Sequence, residues 1–406
     1  MTAQEQELDA TTVVARLSAV MTPVAERERC ALGAAANRVT GEDVVATLDM
    51  PGFDNAAMDG YAVRAADCAS ADGLQVAGRA LAGHPWNAAL APGHAVRIMT
   101  GAAVPAGADA VVMQEDTRTE GDRVFFAQVP HGGLNIRPRG EHVRAGAVVL
   151  PSGRRLRSHD LGLAAAAGAT GVTVLRALHV GVLSTGDELH DPPQAVSSAG
   201  QYDGNRPMLL AALQRAGYRA HDLGIVADRD ETLVAAIRTA AAQRLDAVVS
   251  TGGVAQGDAD IVRRFPALQF LPLALRPGRG LAWGRIEIDG HAFWLFGLPG
   301  NSVAAYVIFQ LVVAPLLAHL AGAGVEPPLT LQVPLAVDAR TRPGRVDWRR
   351  GRFVRRYGGL AVEPLQQQGS SMLRTLSEAD ALIAIGPDAD TAAGDLVDAI
   401  PLAALP

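Results

Sequence analysis

Apolar positions at Val13, Val14, Leu17, Val20 and Met21 recur with helical spacing ahead of Pro23, and residues 10–37 read as helical. From about 45 to 150 the texture changes to short apolar runs between Gly and Pro, such as HAVRIMTG, DAVVMQE and AGAVVLPSG, which predicts a β-rich region with tight turns. Residues 158–170 return to helix, with Ser158 as N-cap. Beyond 177 the pattern alternates. A strand over His179–Leu183 precedes a helix starting near NRPMLLAAL, with Asn205 as its cap and Pro207 in the first turn. A strand at 219–226, a helix at 229–243, a strand at 246–250 and a further helix through Ile261, Val262 and Phe265 come next. That alternation predicts a mostly parallel sheet covered on both faces, and such sheets bind ligands outside the carboxyl ends of their strands. Residues 326–406 are again strand-like and Pro-rich, predicting a small separate β domain.

The run VAAYVIFQLVVAPLLAHLAG, 303–322, has almost the length of a membrane span. Gln310, Pro315 and His319 interrupt it, no second candidate accompanies it, and it reads as a helix buried in a core or a subunit interface. With 406 residues, 49% of them hydrophobic and 19% charged, the chain has material for two to four globular domains. The opening MTAQEQELDA is acidic and polar, unlike the basic start of a signal peptide, so a cytoplasmic protein is expected. Cys30 and Cys68 are too few for a disulfide framework or zinc site. A net charge of −6 argues against bulk nucleic-acid binding. The chain contains no lysine, so all 36 basic residues are arginine and no single arginine is informative as a choice of cation.

The predicted strand ends carry the chemistry. Ser184-Thr185-Gly186-Asp187-Glu188 follows one strand; Ser250-Thr251-Gly252-Gly253, then Gly257, Asp258 and Asp260, follow another; Pro299-Gly300-Asn301-Ser302 precede the apolar helix. In a parallel sheet these loops converge on one rim, where small residues let backbone N–H groups approach an anion. Carboxylates repel bare phosphate, so Asp187, Glu188, Asp258 and Asp260 make sense with a divalent cation between them and the ligand. Capping of helix N-termini is the plainer role for any one of them. Arg276-Pro277-Gly278-Arg279 puts two cations around a turn, suited to phosphate or another tetrahedral oxyanion, or simply to solvent. Seven further arginines between 342 and 356 form a basic patch, part of it ordinary surface charge.

Several motifs, in order, carry a resemblance. The β-rich region contains Phe53-Asp54-Asn55-Ala56-Ala57-Met58-Asp59-Gly60-Tyr61-Ala62, then Ile98-Met99-Thr100-Gly101-Ala102 and Asn135-Ile136-Arg137; STGDEL, a TGGV…GDAD loop, RPGR and LPGN come after it. Over nearly its full length the chain resembles the MoeA family of molybdopterin molybdenumtransferases. The resemblance implies an α/β multidomain fold: a central MogA-like α/β molybdopterin-binding domain (177–325), a β-rich domain (46–145), a helical linking domain (1–45 with 146–176) and a small C-terminal β domain (326–406). It implies insertion of molybdate into adenylylated molybdopterin with Mg²⁺ assistance, releasing AMP and giving the molybdenum cofactor. It further implies a homodimer, and as possible partners a MogA-type adenylyltransferase and apo-molybdoenzymes.

Residue by residue, the resemblance casts Asp59, Thr100, Glu188, Arg276 and Arg279 as catalytic. Ser184, Thr185, Gly186, Asp187, Gly252, Gly253, Asp258, Pro299, Gly300, Asn301, Arg350 and Ser371 would bind the pterin nucleotide. Glu188, Asp187 and Asp258 would lie near the metal. The chain departs from the family pattern at Arg276 and Arg279 (lysines in the family), Ala255, Ser302, Gly204 and His142. A divergent paralogue that binds molybdopterin without efficient insertion, or prefers tungstate, is one alternative. A non-catalytic scaffold is the other, disfavoured by the absence of an extra linker or disordered arm.

Overall fold

The computed structural model describes residues 7–253, 265–356, 358–387 and 390–402. The chain folds into two compact units, one comprising 1–28, 37–39 and 175–406, the other 29–36 and 40–174.

The larger unit is built around a six-stranded sheet in the order Arg219–Val226, His179–Thr185, Ala247–Thr251, His291–Leu298, Gly280–Ile288, Gln269–Pro272. The first four strands are mutually parallel. The last two are antiparallel additions, so this part of the sheet departs from the parallel expectation. Strands without polar alternation are the mark of a sheet buried on both faces. Val180, Val182, Ala247, Val249, Phe296 and Leu298 enter one core. Leu183, Val248, Phe293 and Leu295 enter the other. Helices Asn205–Arg215 and Asp230–Ala242 connect the parallel strands. The apolar helix Ser302–Leu320 contributes Val307, Val312, Leu316 and Leu317 to the first core, and 78% of its most apolar window is buried. It is long and apolar enough to cross a membrane, but its apolar surface is used within this core.

A second six-stranded sheet in the same unit runs Leu275–Arg276, Val346–Arg356, Ala381–Ile385, Leu396–Pro401, Leu331–Pro334, with Gly359–Pro364 paired on Val346–Arg356. The smaller unit carries its own six-stranded sheet, Ala110–Met113, Gly60–Val63, His94–Ile98, Leu74–Ala80, Arg123–Phe126, Thr117–Glu120.

Four local expectations are corrected. The first helix covers only Ala10–Ser18, where Val13, Val14 and Leu17 are buried and Asp9 accepts from the Thr12 N–H at 2.8 Å. Val20 is 60% exposed, and Arg27–Ala31 is a strand. The Thr22-Pro23 pair ends the apolar periodicity, and the residues of that strand are mostly polar and alternate in exposure. Ser158 is the first residue of its helix rather than its cap, and Asp160 turns back to accept from the Arg157 N–H at 2.9 Å. Asn205 likewise lies inside its helix. Asp203 accepts from the N–H groups of Asn205 and Arg206 at 3.0 and 3.2 Å and so caps that helix. The hairpin Gly280–Ile288 and His291–Leu298, absent from the sequence reading, turns through Asp289 (φ 51°) and Gly290 (φ 74°). Asp-Gly between two apolar runs is the signal that predicts such a hairpin. The expected helix through Ile261 and Val262, and with it Ala255, Gly257, Asp258 and Asp260, lies outside the described residues.

Candidate functional site

A cleft of ≈ 2010 Å³ opens at the carboxyl ends of the parallel strands in the larger unit. Its floor is made by the loops that leave those strands. Gly186 N–H donates to Val226 O at 3.2 Å and Gly252 N–H to Leu298 O at 3.1 Å, so neighbouring strand ends are tied side by side. Gly252 adopts φ +90°, and a Cβ there would lie 2.4 Å from the Thr185 carbonyl oxygen. Only glycine allows that approach. Gly278 is a second such position, with φ +113° and Ile308 Cδ1 at 2.8 Å from a notional Cβ.

Of the residues proposed from sequence, Thr185, Gly186, Glu188, Gly252, Gly253, Arg276, Arg279, Pro299, Gly300 and Asn301 line this cleft. Ser184 does not: it is fully buried, its hydroxyl 3.0 Å from that of Thr251, locking two strands together. Asp187 accepts from the Asp228 N–H at 3.1 Å and is off the wall, whereas Asp228 is on it. Ser371 is also off the wall; its neighbour Ser370 is on it. Asp258 lies outside the described residues. Asp59 and Thr100 belong to the smaller unit, where the Thr100 N–H and hydroxyl both donate to Asp59 Oδ1 at 2.7 Å. Those two bonds hold the Asp59 carboxyl below its ordinary pKa.

Arg350 acts from behind the wall. It is 1% exposed, its Nε donating to Thr375 Oγ1 at 3.2 Å and its Nη2 to the Gln367 and Gly369 carbonyls at 3.2 and 2.9 Å. Gln368 closes the arrangement, accepting from the Arg350 N–H at 3.0 Å and donating to its carbonyl at 2.8 Å. This holds in place the segment whose Gln368 and Ser370 face the cleft.

The wall carries both signs of charge. Glu7, Glu188, Asp203, Asp228 and Asp347 contribute carboxylates; Arg276 and Arg279 contribute cations. Asp203 is held by Arg206, a buried cation that also pairs with Asp191 and Asp222. Arg276 is anchored by donation from Nη1 to Arg342 O at 2.8 Å and from Nη2 to Pro343 O at 3.3 Å. Asn205 donates to the Gly300 carbonyl at 2.7 Å, which fixes the Pro299-Gly300-Asn301 turn. Its Oδ1 is buried without a partner among the described residues.

No cluster of three His, Cys, Asp or Glu able to cage a metal occurs among the described residues. A magnesium ion needs less, since it keeps most of its waters and takes one or two carboxylates with substrate phosphate. Glu188 and Asp228, both on the cleft wall, offer carboxylate oxygens of the type such an ion takes. Sequence reasoning passed over Asp228, Asp203, Asn205, Gln368, Ser370 and Glu7 as wall residues. Asp228, two residues past a strand end, was within reach of the strand-end rule; Gln368 and Ser370 lie in the QGSSML segment from which only Ser371 was singled out, and Glu7 belongs to no motif.

Fold and site together define an α/β protein with a glycine-floored cleft at the carboxyl ends of its parallel strands. Three family descriptions match in succession: the MoeA N-terminal region (domain I and II) over 6–168, the "probable molybdopterin binding domain" over 181–319, and the MoeA C-terminal region (domain IV) over 332–402. The molybdopterin molybdenumtransferase of Haemophilus influenzae is 36% identical, over 89% of this chain and 91% of its own. That of a Nostoc species is 36% identical over 72% and 69%. Among solved structures, the MoeA protein of Pyrococcus horikoshii superposes with a TM-score of 0.81 at 26% identity, covering 98% of this chain and all of its own. The chain belongs to the MoeA family of molybdopterin molybdenumtransferases, transferases of molybdenum cofactor biosynthesis.

Proposed function

We propose that this chain inserts molybdate into adenylylated molybdopterin, releasing AMP and forming the molybdenum cofactor, with Mg²⁺ as the assisting ion. The observation that carries this is a cleft in which glycine-floored strand ends and the carboxylates of Glu188 and Asp228 stand with the Arg276–Arg279 turn. A phosphorylated pterin nucleotide and a tetrahedral oxyanion repel each other, so the main burden of catalysis is to hold both in one place. Gly252 and Gly253 bring backbone close to the phosphate end. Arg276 and Arg279 supply charge for the oxyanion, and a guanidinium can meet two of its oxygens at once. Glu188 and Asp228 would hold the magnesium ion, which when bound would supply charge neutralisation to the phosphoryl group and the leaving AMP. Asp187 and Ser184 act on position, the first through the Asp228 backbone and the second by locking the strands.

Asp59 and Thr100, in the smaller unit, fit a homodimer in which the β-rich region of one subunit meets the α/β domain of the other. The reaction so proposed runs in the cytoplasm, after an adenylyltransferase and before the apo-molybdoenzymes that receive the product. As a test, Glu188→Ala is expected to abolish AMP release while its thermal unfolding matches that of the parent. Unchanged turnover in that variant would remove Glu188 from the site.

A further inference from the structure

The cation end of the cleft is assembled from three segments remote in sequence. Leu8 N–H donates to Pro272 O at 3.0 Å, Ala274 N–H to Leu8 O at 2.8 Å, and Val346 N–H to Ala274 O at 3.2 Å. Leu275–Arg276 then pairs in register with Val346 and Asp347. This lacing brings Glu7 onto the cleft wall with Arg276, Arg279 and Asp347. There Arg345 grips Glu7 with two guanidinium nitrogens, Nε at 2.6 Å from Oε2 and Nη2 on Oε1. Both side chains are largely covered, 31% exposed for Glu7 and 17% for Arg345. Asp347 is separately neutralised by Arg349, at 2.9 Å.

We infer that Glu7 is a charge-balancing residue for oxyanion binding: it neutralises Arg345, so that, among the described residues of this part of the wall, Arg276 and Arg279 present the net positive charge that matches one tetrahedral dianion. This rests on the reading of the cleft proposed above. Two closed pairs, Glu7–Arg345 and Asp347–Arg349, flank the two arginines. The charge left over on the two arginines is that of a single tetrahedral dianion such as molybdate or sulfate. The hydrogen bonds from Arg345, together with the fields of Arg345, Arg279 and Arg276, hold the Glu7 carboxyl below its ordinary pKa, so the balancing charge is present at neutral pH. A pair this close and partly desolvated also keeps its charges against salt better than an exposed one.

Calorimetric titration of the full-length protein with molybdate alone, and with sulfate alone, separates charge balance from mere support. Glu7→Gln frees Arg345 and is expected to tighten both oxyanions about three- to tenfold at low salt, as one added charge near a partly solvated dianion should. Arg345→Gln leaves Glu7 unpaired beside the arginines and is expected to weaken them by a similar factor. The double variant returns to wild-type affinity, and all differences shrink at high ionic strength. A clasp that only holds the segments together would make both single variants weaker and the double no better; that result overturns the inference while leaving the oxyanion cleft intact. Absence of oxyanion binding by the wild-type protein, or binding unaltered by Arg276→Gln and Arg279→Gln, would instead overturn the cleft reading itself and this inference with it.

Discussion

Asp160 shows how much a single buried carboxylate can organise. Burial alone would raise its pKa, but Arg154 at 2.7 Å, the Arg157 N–H at 2.9 Å and the Arg157 guanidinium at 3.2 Å outweigh burial and hold it well below the ordinary value of 3.8. A carboxyl depressed in this way contributes stability above its unfolded pKa and loses it as pH falls through that value toward the folded one. Asp160→Asn is therefore expected to destabilise the fold by about 2 kcal/mol at neutral pH, because its arginine partners are partly exposed and recover solvation. As pH falls below the ordinary value of 3.8 the difference from the parent should narrow. Urea unfolding at pH 7 and at pH 3 measures both; an equal loss at the two values would show that the charge does not matter. Gly252→Ala addresses the floor of the cleft. With φ at +90° and Thr185 O in the way, the substitution should cost about 2 kcal/mol or more and weaken nucleotide binding. Wild-type melting together with wild-type binding would contradict the close approach. Only the glycine was legible in the sequence. It stood out in TGGV, whereas Asp160 was hidden behind Ser158, an equally good cap by type that sits two residues earlier.

At the scale of elements, the parallel strands were legible because uninterrupted Val and Leu runs between loops have few other solutions. The expected strand at 219–226 has the observed bounds. The antiparallel edge was overlooked although GRIEIDGHAFWLF carries both alternation and an Asp-Gly turn. Helix lengths failed where Pro and charge ended the periodicity, as after Ser18. The helix Ser302–Leu320 is the element whose role most needs a measurement, since composition alone could read it as a span. Leu316 is fully buried in the main core with Val180, Phe296 and Leu213. Leu316→Ala is expected to cost about 3 kcal/mol by transfer and cavity terms together. Denaturant unfolding reads it directly, and a cost below about 1 kcal/mol would mean that the helix is not part of the core.

At the scale of the whole molecule, the net charge is −6, yet the proposed site brings Arg276 and Arg279 onto one wall with its carboxylates. The proposed chemistry depends on that combination. It was only half legible beforehand, because STGDEL, TGGV, RPGR and LPGN mark strand ends, while the segments at Glu7 and Gln368–Ser370 reach the cleft only through tertiary pairing. The most direct test is AMP release from adenylylated molybdopterin by the purified protein with Mg²⁺, with and without molybdate. The predicted result is release that requires the oxyanion, with a product that activates an apo-molybdoenzyme. Tight nucleotide binding with no oxyanion-dependent release would contradict it.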